Sequence, residues 1–302
     1  MVSVGIAGLR LLRVRDSSGR VRVGVIAGDE LHVLATDDML ATLAATDLPA
    51  EVDSVPIVDP ETCALQAPWT VLAPLAPPET WAAGVTYERS RDARLRESRV
   101  ADVYDLVYEA DRPELFLKDA AGRRTVGPGE PIGIRADASW TVPEPELAVV
   151  LGANGAPLAA TIGNDVSARD IEGANPLYLP QAKIYAGACA LGPALLVPVD
   201  WDTPFDIELR IFDRDGKLLF SGQTSTSNMR RSFTELVEFL RRHNPLPSGT
   251  VLLTGTGIIP PDAVTLTPGQ SVEIRIPGIG TLRNPVAPAA ELHERRTDTA
   301  HV

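Results

Sequence analysis

The chain predicts a mostly β protein of the α+β class, and three observations carry that expectation. Runs of strand length that are apolar or alternate in polarity recur along most of it, among them LRLLRVRD, RVRVGVIAG, ELAVVLG, FDIELRIFD and SVEIRIP. Short turn signals separate them, such as Asn154-Gly155 and Asp215-Gly216, in which Gly takes up positive φ and Asn or Asp bonds its own backbone. Only Ser232–Arg242 carries a firm helical pattern. There Ser232 and Glu235 make a capping box, and Phe233, Leu236, Val237 and Leu240 share a face.

At 302 residues the chain is long enough for one large and one small domain. The expected division is a small β-rich N-terminal domain over 1–72, a larger domain over 73–290 and a polar tail over 291–302. No apolar run approaches the roughly 18 residues of a membrane span. The N-terminus lacks a basic start followed by an apolar block and a cleavage site. Cys63 and Cys189 are few and far apart, which suits reduced thiols and a cytoplasmic location. With 28 basic against 40 acidic residues the balance argues against nucleic acid as a partner. A small anion can still bind where a metal and a few donors neutralise it.

Taken in order, the first 70 residues read as hairpins, with a short helix over 37–48 from the spacing of Met39, Leu40 and Leu43. The proline-studded stretch 67–84 reads as an irregular linker. Beyond Gly84 the chain turns rich in Arg and Glu, as in a short surface helix reaching Ser98. Pro113 precedes the strand ELFLK, and Glu114 at its start reads as a solvated strand end. His32, His293 and His301 read as structural or as part of the tail. No internal repeat is present.

Chemistry concentrates between Trp140 and Pro193. Glu144 and Glu146 are one residue apart at the entry of an apolar strand, so both carboxylates can face one ion. Pro143 and Pro145 cannot both sit in a central ladder, which keeps this end open. Asp165 ends a second short strand that would return antiparallel beside the first, and it is the natural third ligand. Three carboxylates favour Mg²⁺, with Mn²⁺ or Ca²⁺ as alternatives, over zinc. The competing reading is a solvated acidic edge, and the residues alone leave the two in balance. Lys183 follows, with few charged neighbours; desolvated, it would have a lowered pKa and exchange protons near neutrality. The turn Thr254-Gly255-Thr256-Gly257 offers backbone N–H groups and hydroxyls to an anion, or is only a turn.

In combination these motifs resemble the fumarylacetoacetate hydrolase family over roughly 81–285: Glu144-Pro145-Glu146 before an apolar strand, TIGNDVSARD with Asp165, then Lys183, then LLTGTG with Thr256. The resemblance implies a mixed β-sandwich roll as the catalytic domain, usually in a homo-oligomer (dimer or tetramer), and Mg²⁺ held by Glu144, Glu146 and Asp165. It also implies Lys183 at the reacting centre, Thr256 on the substrate carboxylate, and 2-oxo acids as substrates. Acylpyruvate hydrolases of the family carry a water-activating histidine where this chain has Ser90, three residues after Tyr87. TYERSR, RPELFLK and NPLYLPQAKIYAG instead resemble the branch that dehydrates 2-dehydro-3-deoxy-D-pentonates (arabinonate or xylonate) to 2,5-dioxopentanoate. That resemblance assigns Glu114 to acid catalysis beside Lys183, and Ser90 with Thr256 to substrate positioning. The alternatives are acylpyruvate hydrolysis or oxaloacetate decarboxylation on the same site, or a non-catalytic 2-oxo-acid binder.

Overall fold

The apolar run Pro145–Leu151 lies in the middle of a 13-stranded sheet in the computed structural model, which describes residues 8–91 and 106–293. All seven of its residues are buried, which is why the sequence shows no alternation there. The turn at Asn154 and Gly155 (φ 80°) returns the chain antiparallel as Pro157–Asp165. On its other side Pro145–Leu151 pairs antiparallel with Thr250–Leu253. Outward from there come Glu79–Gly84, parallel, and Glu114–Ala120, antiparallel, at the sheet's end.

In the other direction Pro157–Asp165 pairs with Cys189–Pro198, and that strand pairs with Gly8–Arg15. Val21–Ala27, Glu30–Leu34, Glu51–Asp59 and Ala64–Leu65 follow, so the N-terminal hairpins extend the same sheet. A second sheet of five strands runs in the order Ile132–Ile134, Gly280–Pro288, Ser271–Ile276, Asp206–Phe212 and Leu218–Ser225.

The two faces of Pro145–Leu151 divide the core. Leu147, Val149 and Leu151 pack with Ile207, Leu209, Ile211, Val272 and Ile274 of the second sheet and with Leu236 and Leu240 of the helix Phe233–Arg241. Ala148 and Val150 pack the other way, with Leu11, Val23, Leu195 and Val251. This is sheet-on-sheet packing with a strand buried on both sides. At about 1.5–3 kcal/mol per fully buried large aliphatic side chain, this burial anchors the strand firmly. Its first residues can then be left short of ladder partners. Half of the capping box expected at Ser232 is present, its Oγ accepting from Glu235 N at 3.1 Å, while the Glu235 carboxylate accepts from Arg231 Nη1 at 2.5 Å.

Two local expectations differ from the structure. The stretch read as a linker over 67–84 ends in a strand, Glu79–Gly84; the prolines stop at Pro78, and every residue after it can donate to a ladder. The helix expected over 37–48 is confined to Met39–Ala44, capped by Asp38, whose side chain accepts from Ala41 N at 2.9 Å. The surface helix expected up to Ser98 is seen only in its first residues, 88–91, and the remainder lies outside the described residues, as does the tail after 293.

Candidate active site

The register of the central hairpin assembles the acidic cluster. Pairing with Thr250–Leu253 begins only at Ala148, so Pro145, which has no N–H, faces no strand on that side. Across the hairpin Glu146 stands opposite Gly163 and Pro145 opposite Asn164, which brings Asp165 beside Glu144; Asp165 N donates to Glu144 O at 2.9 Å. One carboxylate oxygen from each of Glu144, Glu146 and Asp165 lies within 4.8 Å of the others. All three residues are buried, at 4%, 1% and 2% exposure. The Asn164 side chain accepts from Glu144 N at 3.2 Å, and Gly255 N donates to Glu146 Oε2 at 2.5 Å. Gly255 is left-handed (φ 94°), and a Cβ there would stand 1.9 Å from Thr86 Oγ1. The TGTG turn therefore needs glycine to reach Glu146.

Three buried cations answer the three carboxylates. Lys183 ends the short helix Leu179–Lys183 and is 2% exposed. Its Nζ donates to Glu144 Oε2 at 2.7 Å, Asp165 Oδ2 at 3.1 Å and Ser167 Oγ at 2.6 Å. Ser167 Oγ in turn donates to Asp165 O at 2.8 Å, which orients it as an acceptor for the amine. Lys183 is desolvated as its sequence setting suggests, but it is ion-paired, not isolated. Arg169 Nη1 donates to Glu144 Oε1 at 2.8 Å, with its guanidinium 5.7 Å from the Trp140 ring centroid. Lys118 reaches Asp165 Oδ1 from behind and donates to Val166 O at 3.1 Å and to the carbonyl of Lys183.

Burial, then the charges of Asp165 and Glu144, push the Glu146 carboxyl well above the usual carboxylate range, and the Gly255 N–H opposes this only in part. Three packed carboxylic acids that offer only oxygen donors fit a hard divalent cation such as Mg²⁺, Mn²⁺ or Ca²⁺. The solvated acidic edge is thereby excluded, since none of the three is solvated.

All seven residues that the sequence singles out line one narrow cleft: Ser90, Glu114, Glu144, Glu146, Asp165, Lys183 and Thr256. Glu114 is not the solvated strand end expected of an isolated carboxylate. It pairs across the ladder with Gly84 and folds over it, so that a Cβ on Gly84 would meet Glu114 Oε2 at 2.1 Å. Ser90 is 5% exposed on the helical turn after Tyr87, which bridges to Met229. Thr86 Oγ1 donates to Thr254 O at 2.8 Å and ties this turn to the TGTG segment. Thr256, 4% exposed, accepts from Ile258 N at 3.2 Å.

The structure adds residues that the sequence did not single out. Phe116 and Glu172 line the same cleft, and Lys118 and Arg169 back it. For Arg169 a signal existed: it stands four residues after Asp165, beyond the small and apolar Val166-Ser167-Ala168. Among the described residues no histidine lines the cleft, and no helix is long and apolar enough to cross a membrane.

Two packed sheets with a buried carboxylate triad and a lysine at one strand mouth define a candidate centre for a divalent cation. The model of the fumarylacetoacetate (FAA) hydrolase C-terminal family matches residues 81–287, and the chain belongs to that family. It is 50% identical over 214 residues to the probable 2-keto-3-deoxyxylonate dehydratase of Haloferax volcanii, covering 70% of this chain and 73% of that one. It is 48% identical over 223 residues to the 2-dehydro-3-deoxy-D-arabinonate dehydratase of Saccharolobus solfataricus, covering 72% and 74%. A solved structure of 2-keto-3-deoxy-D-arabinonate dehydratase complexed with magnesium and 2,5-dioxopentanoate matches with a TM-score of 0.81 at 38% identity, over 92% of this chain and 99% of that one.

Proposed function

We propose that this chain is a Mg²⁺-dependent hydro-lyase that converts a 2-dehydro-3-deoxy-D-pentonate (arabinonate or xylonate) into 2,5-dioxopentanoate and water. The observation that carries this is the buried triad with Lys183 against it, in a cleft that also holds Glu114. The likeness to dehydratases over more than two thirds of the chain supports it.

Glu144, Glu146 and Asp165 would hold the cation. When bound, it supplies Lewis acidity towards the carboxylate and 2-oxo oxygens of the substrate, which makes the carbon-3 proton acidic. Lys183, the ammonium beside two of the three carboxylates, steadies the enolate left behind, or takes that proton once it has given up its own. Glu114 gives a proton to the carbon-4 hydroxyl as it departs as water. Carbon 5 then loses a proton, carbon 3 regains one, and the remaining enol returns its hydroxyl proton to carbon 4 to leave the aldehyde. Ser90 and Thr256 position the substrate at the cleft wall. Among the described residues no imidazole lines the cleft, and the groups that do line it serve elimination better than the activation of water for hydrolysis.

Incubation with Mg²⁺ and a panel of 2-oxo-3-deoxy sugar acids, acylpyruvates and oxaloacetate, followed by NMR, tests this. The expected product is 2,5-dioxopentanoate. Pyruvate from an acylpyruvate or from oxaloacetate would replace dehydration with hydrolysis or decarboxylation. Tight binding without product would leave a 2-oxo-acid binder.

The same reading makes the protein a cytoplasmic homo-oligomer, dimer or tetramer. Exposed Leu177, Leu218 and Leu219 support the oligomer, and light scattering tests it. The division at residue 72 is likewise a proposal, which limited proteolysis between 67 and 78 tests.

A further inference from the structure

Two cations of the buried cluster, Lys118 and Arg169, have no part in the reaction above, and Lys118 is wholly enclosed at 0% exposure. It stands on the strand face of Glu114 and Phe116, which line the cleft, beside an irregularity in the ladder. Glu114–Ala120 pairs with Glu79–Gly84 as Asp119 opposite Thr80 and Leu117 opposite Trp81, so Lys118 is the extra residue between two paired positions. Such a bulge shifts the alternation by one residue, so that Asp119 falls on the same side as Lys118. Here Lys118 and Asp119 are both buried in succession, while Leu117 is 36% exposed. A regular strand would alternate them.

The ammonium has three N–H groups and three oxygens in reach. It donates to the carbonyl of Val166 at 3.1 Å and to that of Lys183, and its charge stands against Asp165 Oδ1 as an ion pair outside hydrogen-bonding geometry. With its charge paired to Asp165 and its surface wholly enclosed, Lys118 has no access to a substrate. Its partners, however, are a carboxylate of the triad, the residue after it, and the backbone that carries the catalytic amine. A buried ammonium is costly to keep, and a neutral filler would occupy the volume without that cost.

We propose that Lys118 is a positioning residue: from its bulge it ties Asp165 to the end of the Leu179–Lys183 helix, and so sets the spacing between the metal-binding carboxylate and the Lys183 amine. This rests on the metal-site reading above.

Lys118→Gln, which removes the charge and keeps an amide donor, separates this role from the others. By Coulomb's law alone, deleting a positive charge beside Asp165 would tighten Mg²⁺ binding. Loss of positioning loosens it, so the two effects have opposite signs in calorimetric titration of the metal. The expected outcome is Mg²⁺ affinity about 10–100-fold weaker and kcat at saturating Mg²⁺ lowered to a similar degree, with KM changed by less than about 3-fold. Equal or tighter Mg²⁺ binding with unchanged kcat, whatever the melting temperature does, would overturn the proposal. If Lys118→Gln does not fold, Lys118→Arg decides. A loss of about 10-fold or more in kcat and metal affinity supports the role, because the guanidinium fork cannot meet the same three oxygens. Wild-type values for both reject it. Wild-type protein that binds no Mg²⁺ at all would instead remove the metal-site reading, a separate result.

Discussion

The two sheets treat charge in opposite ways. On the five-stranded sheet Glu208 and Arg210 sit two residues apart on one strand, Nη2 to Oε1 2.7 Å, with 27% and 45% of their side chains exposed. On the 13-stranded sheet Lys183 meets Glu144 at the same 2.7 Å, with 3% and 5% exposed. Distance does not separate the two pairs; solvent does. An exposed pair is worth about 0–1 kcal/mol, whereas breaking a buried one by removing a partner costs about 3–5 kcal/mol, because the other charge is left stranded. The outer sheet keeps its charges in water. The strand mouth of the larger sheet instead gathers three acids and three cations out of water, where charge can act on a substrate.

The sharpest break of that contrast is Lys183→Ala. Turnover of the pentonate is expected to fall at least about 10²–10⁴-fold while calorimetry still detects Mg²⁺ binding. A variant that turns over like wild type would remove Lys183 from the reaction.

Next in size is the triad. Glu146→Gln should raise the Mg²⁺ concentration needed for half-maximal activity by about 10–100-fold, and EDTA should abolish wild-type activity reversibly. The raised Glu146 carboxyl also sets a pH dependence. In the metal-free fold this group holds its proton above the ordinary carboxylate range, so the folded state binds more protons than the unfolded one over that interval. The stability it contributes is complete below the ordinary carboxylate pKa and is lost as pH rises through the raised value. The EDTA-treated protein should therefore melt lower as pH climbs through that window. Mg²⁺ affinity should rise over the same window, because the cation displaces the proton. A melting temperature that rises with pH in the metal-free protein would contradict the burial argument.

Smaller again is Gly84→Ala. The added Cβ would stand 2.1 Å from Glu114 Oε2, the movable end of a flexible side chain, so folding is expected to change by less than about 1 kcal/mol. The carboxylate must move, and a shift of that order costs up to about 10²-fold in kcat. Circular dichroism melting alongside steady-state kinetics checks both halves. An unchanged kcat would detach Glu114 from the reaction without having touched the residue itself.

What could be read in advance follows the same division. Glu144, Glu146 and Asp165 were legible because strand periodicity and one hairpin turn suffice to bring them together, and Lys183 because it is the one charge in a small, apolar stretch. The triad's burial was not legible, since an E-x-E motif looks the same on a solvated edge; the second sheet over Leu147 and Val149 decides it. Lys118 was hidden for a different reason. Alternation puts the lysine of ELFLK on the face of Glu114 and Phe116, but a lysine on a short strand reads as solvated, and only the packed fold encloses it. Glu79–Gly84 was obscured by the prolines before it and by its own composition, in which only Thr80 and Trp81 favour a strand. Resemblance to a family supplied the role of Glu114, which local sequence placed in solvent.

The smallest effect belongs to the other side of the contrast. Arg210→Ala removes a pair with the same 2.7 Å geometry as Lys183 with Glu144, and shifts stability by no more than about 0.2–1 kcal/mol. The Glu208 carboxylate left behind is still hydrated, so no desolvation cost is uncovered. Mg²⁺ affinity and kcat should match wild type, and the slight loss in melting temperature should shrink further in high salt, where exposed charges are screened over about 3 Å at 1 M. A large loss that salt does not reduce would mean that this face is covered in the working protein, as it would be in an oligomer that buries the second sheet.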